Sequence, residues 1–173
     1  IAAGDIGLIV LATATSEQTF PVTATIVQHE LGCHGGIAFD VAAVCSGFLY
    51  ALGVADAMLR TGMARNALVI GAETFSRIVD WDDRATCVLF GDGAGAVVLA
   101  GRDSDDDVHA AGARGILATR LHADGMHNQL LFVGGGPSTT GTVGKLRMKG
   151  KDVFRHAVTN LAEVLGEVLA EVG

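Results

Sequence analysis

The sequence has few groups that could cross-link a fold. Its 173 residues include only three cysteines, Cys33, Cys45 and Cys87. An odd number gives no complete disulfide framework, and no two of the cysteines have the close spacing of a zinc-binding pair. We therefore expect no metal site, and a reducing, cytoplasmic setting is the simplest interpretation.

Positive charge is also scarce, since 12 Lys and Arg residues stand against 19 Asp and Glu residues and give a net charge of −7. This balance argues against nucleic acid as a partner, because phosphate binding needs a basic surface. No apolar run reaches the length of a transmembrane helix, so we expect no membrane segment. The chain opens at Ile1 without Met and ends at Gly173, and we expect it to be an excerpt.

Apolar residues and glycine are plentiful. Half of the residues are hydrophobic, 18% are charged and 24 are glycine, which suits an α/β protein with buried strands. Short apolar runs that alternate with helical periodicity predict a mixed, mainly parallel sheet with right-handed crossovers. Predicted strands cover Ile6–Ala12, Gly36–Val41, Ala67–Gly71, Ala85–Phe90, Gly95–Ala100 and Ile116–His122, and predicted helices cover Val22–Leu31 and Ser46–Arg60.

One stretch combines an apolar run with a cysteine. Residues 40–44 lead directly to Cys45, and the predicted helix that follows carries only Asp56 and Arg60 as charges. A helix that is apolar nearly all round is a buried helix. Cys45 at its N-terminus would feel the positive end of the helix dipole, which favours a nucleophilic thiolate. The alternative is a small buried hydrophobic residue, the usual role of a free cysteine. Position alone slightly favours that alternative.

Five short segments carry motifs, in this order: Val41-Ala42-Ala43-Val44-Cys45-Ser46-Gly47-Phe48, Asp83-Arg84-Ala85-Thr86, Phe90-Gly91-Asp92-Gly93-Ala94-Gly95-Ala96, His122-Ala123-Asp124-Gly125 and Met148-Lys149-Gly150-Lys151-Asp152-Val153-Phe154. Together they resemble the β-ketoacyl-acyl-carrier-protein synthase III family of condensing enzymes. Their spacing fits the family across nearly the whole chain.

The resemblance implies a thiolase-like α/β fold with a mixed, mainly parallel sheet and a buried nucleophile helix. The chain would then cover most of the first half of that fold and the start of the second. We expect residues 1–173 to form a single partial unit, with a first-half core over about 1–150. A helix over 152–172 would lead into an absent second half.

The resemblance also implies a reaction with two halves. The Cys45 thiolate would take an acyl group, acetyl or short, from an acyl-CoA. Malonyl-acyl-carrier protein would then lose carbon dioxide, and its carbanion would attack the acyl-enzyme to initiate fatty-acid synthesis. This is ping-pong covalent catalysis. It needs no cofactor, because the CoA thioester is a substrate, and the family works as a homodimer.

Individual positions take roles from the same resemblance. Arg84 would contact the nucleotide end of CoA, and Phe20 would be lent across the homodimer interface to the neighbour's pocket. The remaining substrate-binding positions are Phe75, Phe90, Leu131, Leu146, Met148 and Gly150, and a ring at position 75 would shorten the acyl pocket. Without the resemblance, the Phe, Leu and Met residues of this set would be core residues and Arg84 a solubilising charge.

Charged and apolar residues alternate over residues 145–151, which predicts a strand with two different faces. The strand is either a solubilising edge whose lysines prevent aggregation or a basic rim that contacts the carrier protein. Both interpretations stay open. Leu146, Met148 and Gly150 would face inward; Lys145, Arg147, Lys149 and Lys151 would face outward, with Arg155 one helical turn later.

The family's electrophilic histidine and asparagine lie in His-Gln-Ala-Asn and Gly-Asn-Thr phrases, and neither phrase occurs here. We expect both groups beyond Gly173.

Two other functions remain as alternatives to the synthase III function. They are a related thiolase-fold synthase of polyketide or hydroxymethylglutaryl-CoA type, and a non-catalytic dimerisation or scaffold fragment. No catalytic role is assigned to His29, His34, His109, His122, His127 or His156.

Overall fold

The computed structural model describes residues 1–101 and 115–173. The chain, predicted to form a single partial unit, divides into two compact groups of residues. Unit 1 consists of Ile1–Glu73 and Gly93–Leu117, and unit 2 consists of Thr74–Asp92 and Ala118–Gly173.

Unit 1 is built on a four-stranded sheet. Strand β1 is parallel to both β2 and β3, and Ala12 at its end lies level with Val41 and Gly71. The three strands therefore end at one edge of the sheet, which we call the carboxyl edge. The sheet has the order β2-β1-β3-β4, with β1 at Leu8–Ala12, β2 at Ile37–Val41, β3 at Asn66–Thr74 and β4 at Asp92–Ala100.

Two helices connect the parallel strands and cover opposite faces of the sheet. Helix α1 (Thr23–Glu30) joins β1 to β2, and helix α2 (Gly47–Arg60) joins β2 to β3. Leu8 and Val10 pack with α2, whereas Ile9 and Leu11 pack on the α1 side. Every residue of β1 is buried, because a strand covered on both faces has no solvated side.

The burial expected for α2 is found on one side of the helix. Its buried residues Gly47, Ala51, Ala55 and Leu59 recur at a spacing of four and face the sheet. On another side of the helix, Leu49 is 56% exposed. Among the described residues, α2 is therefore covered along one stripe and not all round.

Unit 2 contains an antiparallel pair and the C-terminal helix. Strand β5 (Leu131–Gly135) pairs with β6 (Val143–Met148), and α3 (Gly150–Val172) follows directly. Two side-chain pairs join the 118–127 segment to the polar side of α3. Arg120 pairs with Glu171 and His122 pairs with Glu167, both at 2.7 Å. Its apolar residues at positions 154, 158, 161, 165 and 169 remain exposed.

Three strand predictions are wrong in whole or in part. Ala85–Phe90 holds a short 3-10 turn at Cys87–Leu89, because the Thr86 hydroxyl bonds back to Asp83 and stabilises a turn. Residues 116–122 form no strand.

The third concerns the alternating run over 145–151, which stops at Met148. The carbonyl of Lys149 accepts from the N–H groups of Asp152 and Val153 and so begins α3. Gly150 is exposed at the start of that helix rather than facing inward. The apolar and polar faces predicted for this run hold as far as Met148, where the backbone is still extended.

No helix in the described part of the chain combines the length and the apolar character that a membrane crossing requires.

The packing of α2 on the sheet yields a test at Gly71. A Cβ placed there would lie 3.3 Å from Cδ2 of Phe48 at the start of α2. Gly71→Ala should lower the free energy of unfolding by about 1–3 kcal/mol, because an added methyl overpacks this contact. Chemical denaturation measures the change.

Gly95→Ala is the matched control, since that strand glycine has open space around its Cβ position. Equal stability of the two variants would show that α2 does not pack closely on Gly71.

Candidate active site

Cys45 lies in a 3-10 turn, Val44–Ser46, between β2 and α2 at the carboxyl edge of unit 1. Its position directly before the helix agrees with the sequence interpretation. The side chain is exposed, and the first turn of α2 has no side-chain cap. Cys33, by contrast, is 3% exposed and directs its thiol at the carbonyl of Ala3. The buried hydrophobic role therefore fits Cys33 and does not fit Cys45.

The turn that carries Cys45 has an unusual backbone. Val44 has a φ of +48°, in the left-handed region. A β-branched side chain in that region is a genuine outlier and marks local strain. Just beyond the cysteine, a Cβ at Gly47 would lie 3.2 Å from Cβ of Ala12. The chain therefore turns sharply at Val44 and then packs closely on β1, which presents Cys45 outward.

A carboxylate that sequence reasoning missed fixes the neighbouring loop. Glu73, at the end of β3, accepts the backbone N–H of Ala14 at 2.9 Å and the hydroxyl of Thr15. The N–H of Thr13 donates to the carbonyl of Val41 at 3.1 Å. The loop after β1 is thus held to the ends of both β3 and β2. Further along this loop, Phe20 is 81% exposed.

In unit 2, two predicted pocket residues form an aromatic pair. The rings of Phe75 and Phe90 stack with centroids 5.5 Å apart, and Phe75 is 8% exposed. The turn at Phe75–Arg77 is fastened by Asp92, which accepts from the N–H and the hydroxyl of Ser76 at 2.8 and 2.7 Å. These two bonds hold the pKa of the Asp92 carboxyl below its usual value.

The loop that carries Arg84 is joined to strand β6 by an ion pair. Arg147 on β6 donates to the Asp80 carboxylate at 2.6 Å, and this bond is the main reason that the pKa of Asp80 is lowered. Arg84 itself is exposed. Because folding lowers both pKa values, the hydrogen bonds of Asp80 and Asp92 stabilise unit 2 fully at pH values above the ordinary pKa of Asp. This stabilisation is lost as the pH falls through the lowered pKa values.

The β5–β6 pair brings three predicted pocket residues to one face. Leu131 lies opposite Met148, and Leu146 lies opposite Val133. Directly opposed residues of an antiparallel pair share a face, and so do residues two apart on one strand. Leu146 is 1% exposed, and its N–H donates to the carbonyl of Ile78. Leu131, Leu146 and Met148 are therefore neighbours, whereas Gly150 lies beyond the strand.

The residues predicted to meet a carrier protein lie at the start of α3. Lys149, Lys151 and Arg155 are all exposed. Arg155 is paired with Asp152 at 3.1 Å, so part of its charge is compensated within the helix. Arg147, predicted to face outward with them, is exposed and pairs with the Asp80 carboxylate.

The histidines that make described contacts in unit 2 pair with acidic groups or lie against each other. His122 bonds to Glu167 at 2.7 Å. The rings of His127 and His156 lie 4.0 Å apart between centroids. His109 lies outside the described residues. Over residues 1–101 and 115–173, no three His, Cys, Asp or Glu side chains are grouped as metal ligands would be.

Comparison with known proteins gives a consistent result. The sequence profile of 3-oxoacyl-[acyl-carrier-protein] synthase III matches residues 39–125, which include Cys45 and Arg84. A β-ketoacyl-[acyl-carrier-protein] synthase III from Novosphingobium aromaticivorans is 75% identical over 171 residues, which are 99% of this chain and 52% of that protein. The chain thus spans about half the length of the curated relatives it matches.

Solved structures show the same relation. A 3-oxoacyl-[acyl-carrier-protein] synthase III from Aquifex aeolicus superposes with a TM-score of 0.86 at 46% identity, covering 100% of this chain and 51% of that one. The enzyme of the same name from Pseudomonas aeruginosa gives 0.85 at 39% identity, covering 97% and 50%. The predicted thiolase-like fold, with its mainly parallel sheet, is therefore confirmed.

The strained turn before Cys45 yields a stability test. Val44→Gly removes a β-branched residue from the left-handed region, where strain costs about 1–3 kcal/mol. Glycine loses about 0.5–1 kcal/mol through backbone entropy. We expect the variant to be as stable as the natural chain or more stable, as measured by thermal unfolding.

Val143→Gly is the control, because Val143 is also an exposed valine but does not have a positive φ. That variant should be less stable than the natural chain. An equal loss of stability at both positions would show that Val44 is not strained.

Proposed function

Because the chain belongs to the 3-oxoacyl-[acyl-carrier-protein] synthase III family, we propose that Cys45 is the nucleophile of a decarboxylative condensation that initiates fatty-acid synthesis. One observation carries the proposal: the family's cysteine motif lies at the carboxyl edge of the sheet with the thiol exposed in a strained turn. In open α/β sheets, ligands bind outside the carboxyl ends of the strands.

The first half-reaction is acyl transfer to Cys45. The thiolate sulfur attacks the carbonyl carbon of an acyl-CoA thioester, the bond from that carbon to the CoA sulfur breaks, and CoA leaves as a thiolate that takes a proton from water. Exposure of the thiol gives the thioester access. Arg84, exposed on its loop, contacts the nucleotide end of CoA. The thioester is a substrate, and the proposal includes no further cofactor.

The acyl group is acetyl or short. The stacked rings of Phe75 and Phe90 are fixed through Ser76 and Asp92, which suits a rigid and short pocket wall. Leu131, Leu146 and Met148 share one face of the β5–β6 pair, where Leu146 is buried and the other two are half-buried. Gly150 belongs to the same proposed substrate site. Phe20, almost fully exposed, completes the pocket of a second subunit in a homodimer.

The second half-reaction joins the acyl group to malonyl-acyl-carrier protein. Lys149, Lys151 and Arg155 form the proposed contact with the acidic carrier in the cytoplasm. Loss of carbon dioxide leaves an enolate, which needs hydrogen-bond donors aimed at its oxygen. The phrases that supply the histidine and the asparagine do not occur here. We assign these groups to the half of the family fold that this chain does not match.

The proposal is tested in a chimera in which residues 1–173 replace the matching half of a full-length relative. The chimera should accept one acyl group from acetyl-CoA, located on Cys45 by mass spectrometry. Cys45→Ser should remove the adduct and reduce condensation to background, because a hydroxyl in this turn is a much weaker nucleophile than a thiolate.

Cys87→Ser is the matched control and should keep both activities, since Cys87 lies in another turn. An adduct on Cys33 or Cys87 would refute the assignment. No adduct on any cysteine of a folded chimera would favour a non-catalytic scaffold.

A further inference from the structure

One charged side chain interrupts the apolar run that leads to Cys45. Strand β2 reads Ile-Ala-Phe-Asp-Val, so Asp40 is its only charged residue. Ile37, Phe39 and Val41 pack on the α2 side of the sheet, and Ala38 packs on the α1 side. Asp40 shares the side of Ala38, because alternate residues of a strand face the same way. A partly buried charge there needs a partner.

Its partner is the first turn of α1. One carboxylate oxygen of Asp40 accepts the N–H of Thr23 at 2.9 Å, and the other accepts the N–H of Ala24 at 2.8 Å. The N-cap residue of α1 is Val22, which has no side-chain group that could bond these donors. A carboxylate at a helix N-terminus also meets the positive end of the helix dipole. Asp40 therefore caps α1 from a distant point in the sequence.

This cap lies between two elements of the proposed site. Phe20 precedes α1 by a short segment, and Cys45 follows Asp40 across a short turn. Strand β2 has ladder bonds to β1. The two bonds of Asp40 add a restraint on β2 from the α1 side, close to the point where the strand gives way to the Cys45 turn.

We propose that Asp40 is a positioning residue that fixes the Cys45 turn by joining β2 to the first turn of α1. The inference rests on the proposed function for its kinetic consequence. Asp40 touches no reacting atom. It limits the movement of the strand end from which residues 42–46 continue, and so it sets the place of the thiol relative to the bound thioester.

The experiment separates positioning from simple helix capping. Asp40→Asn in the chimera keeps the shape of the side chain but loses the charge and one acceptor. Val22→Ser gives α1 a neutral cap of its own, because Val22 already has the extended backbone of an N-cap. We compare the Val22→Ser variant with the Val22→Ser/Asp40→Asn double variant, so that α1 is capped in both and no second carboxylate is placed beside Asp40. The measurements are thermal unfolding, the kinetics of Cys45 acylation by acetyl-CoA, and hydrogen exchange of residues 42–46.

The two capped variants should unfold at similar temperatures. The double variant should acylate Cys45 about tenfold more slowly at saturating acetyl-CoA, because small misplacements of a nucleophile are costly. Its KM should change little, and its residues 42–46 should exchange faster. Glu30→Gln removes one charge at the other end of α1 and should match the unsubstituted chimera in all three measurements.

Equal acylation rates and equal exchange in the two capped variants would overturn the proposal, since Asp40 would then be a helix cap only. Failure of the proposed function is a different result. It would appear as no acylation of the unsubstituted chimera. The exchange of residues 42–46 would still decide whether Asp40 fixes the turn.

Discussion

The parallel register of three strands is the constraint on which the rest of unit 1 depends. Ala12, Val41 and Gly71 lie side by side. The loops that follow β1 and β2 therefore leave the sheet at the edge where β3 ends at Thr74. Each parallel connection needs a crossover, and α1 and α2 supply the two crossovers on opposite faces. The sheet thus brings together the Cys45 turn, the loop that carries Phe20 and the Glu73 carboxylate.

Two carboxylates then fix what the sheet has brought together. Glu73 ties the loop after β1 to the end of β3, and Asp40 ties β2 to the start of α1. Both accept backbone N–H groups, and such charge-assisted bonds are stronger than neutral ones. The strain at Val44 can persist only because the surrounding structure determines the path of the chain on both sides of the turn.

Much of unit 1 could be predicted from the sequence because its signals are local. Apolar runs bounded by Gly and polar residues marked β1, β2 and β3, and the motif around Cys45 marked the turn. The roles of Asp40 and Glu73 could not be predicted, since their partners are distant in the sequence. The one available signal was a lone acidic residue in the apolar strand β2. The turn at Cys87–Leu89 was missed because a local bond between Thr86 and Asp83 outweighs the strand pattern.

The proposed reaction takes its nucleophile from these residues and the groups that stabilise the enolate from outside them. The most direct measurement supplies acetyl-CoA and malonyl-acyl-carrier protein to the 173-residue chain and, separately, to the chimera. Removing one enolate donor typically costs about 10²–10³ in rate, and neither of the phrases that carry the family's two donors occurs in this sequence. We predict condensation product from the chimera and none above background from the chain alone. Product from the chain at a rate near that of the chimera would contradict the account.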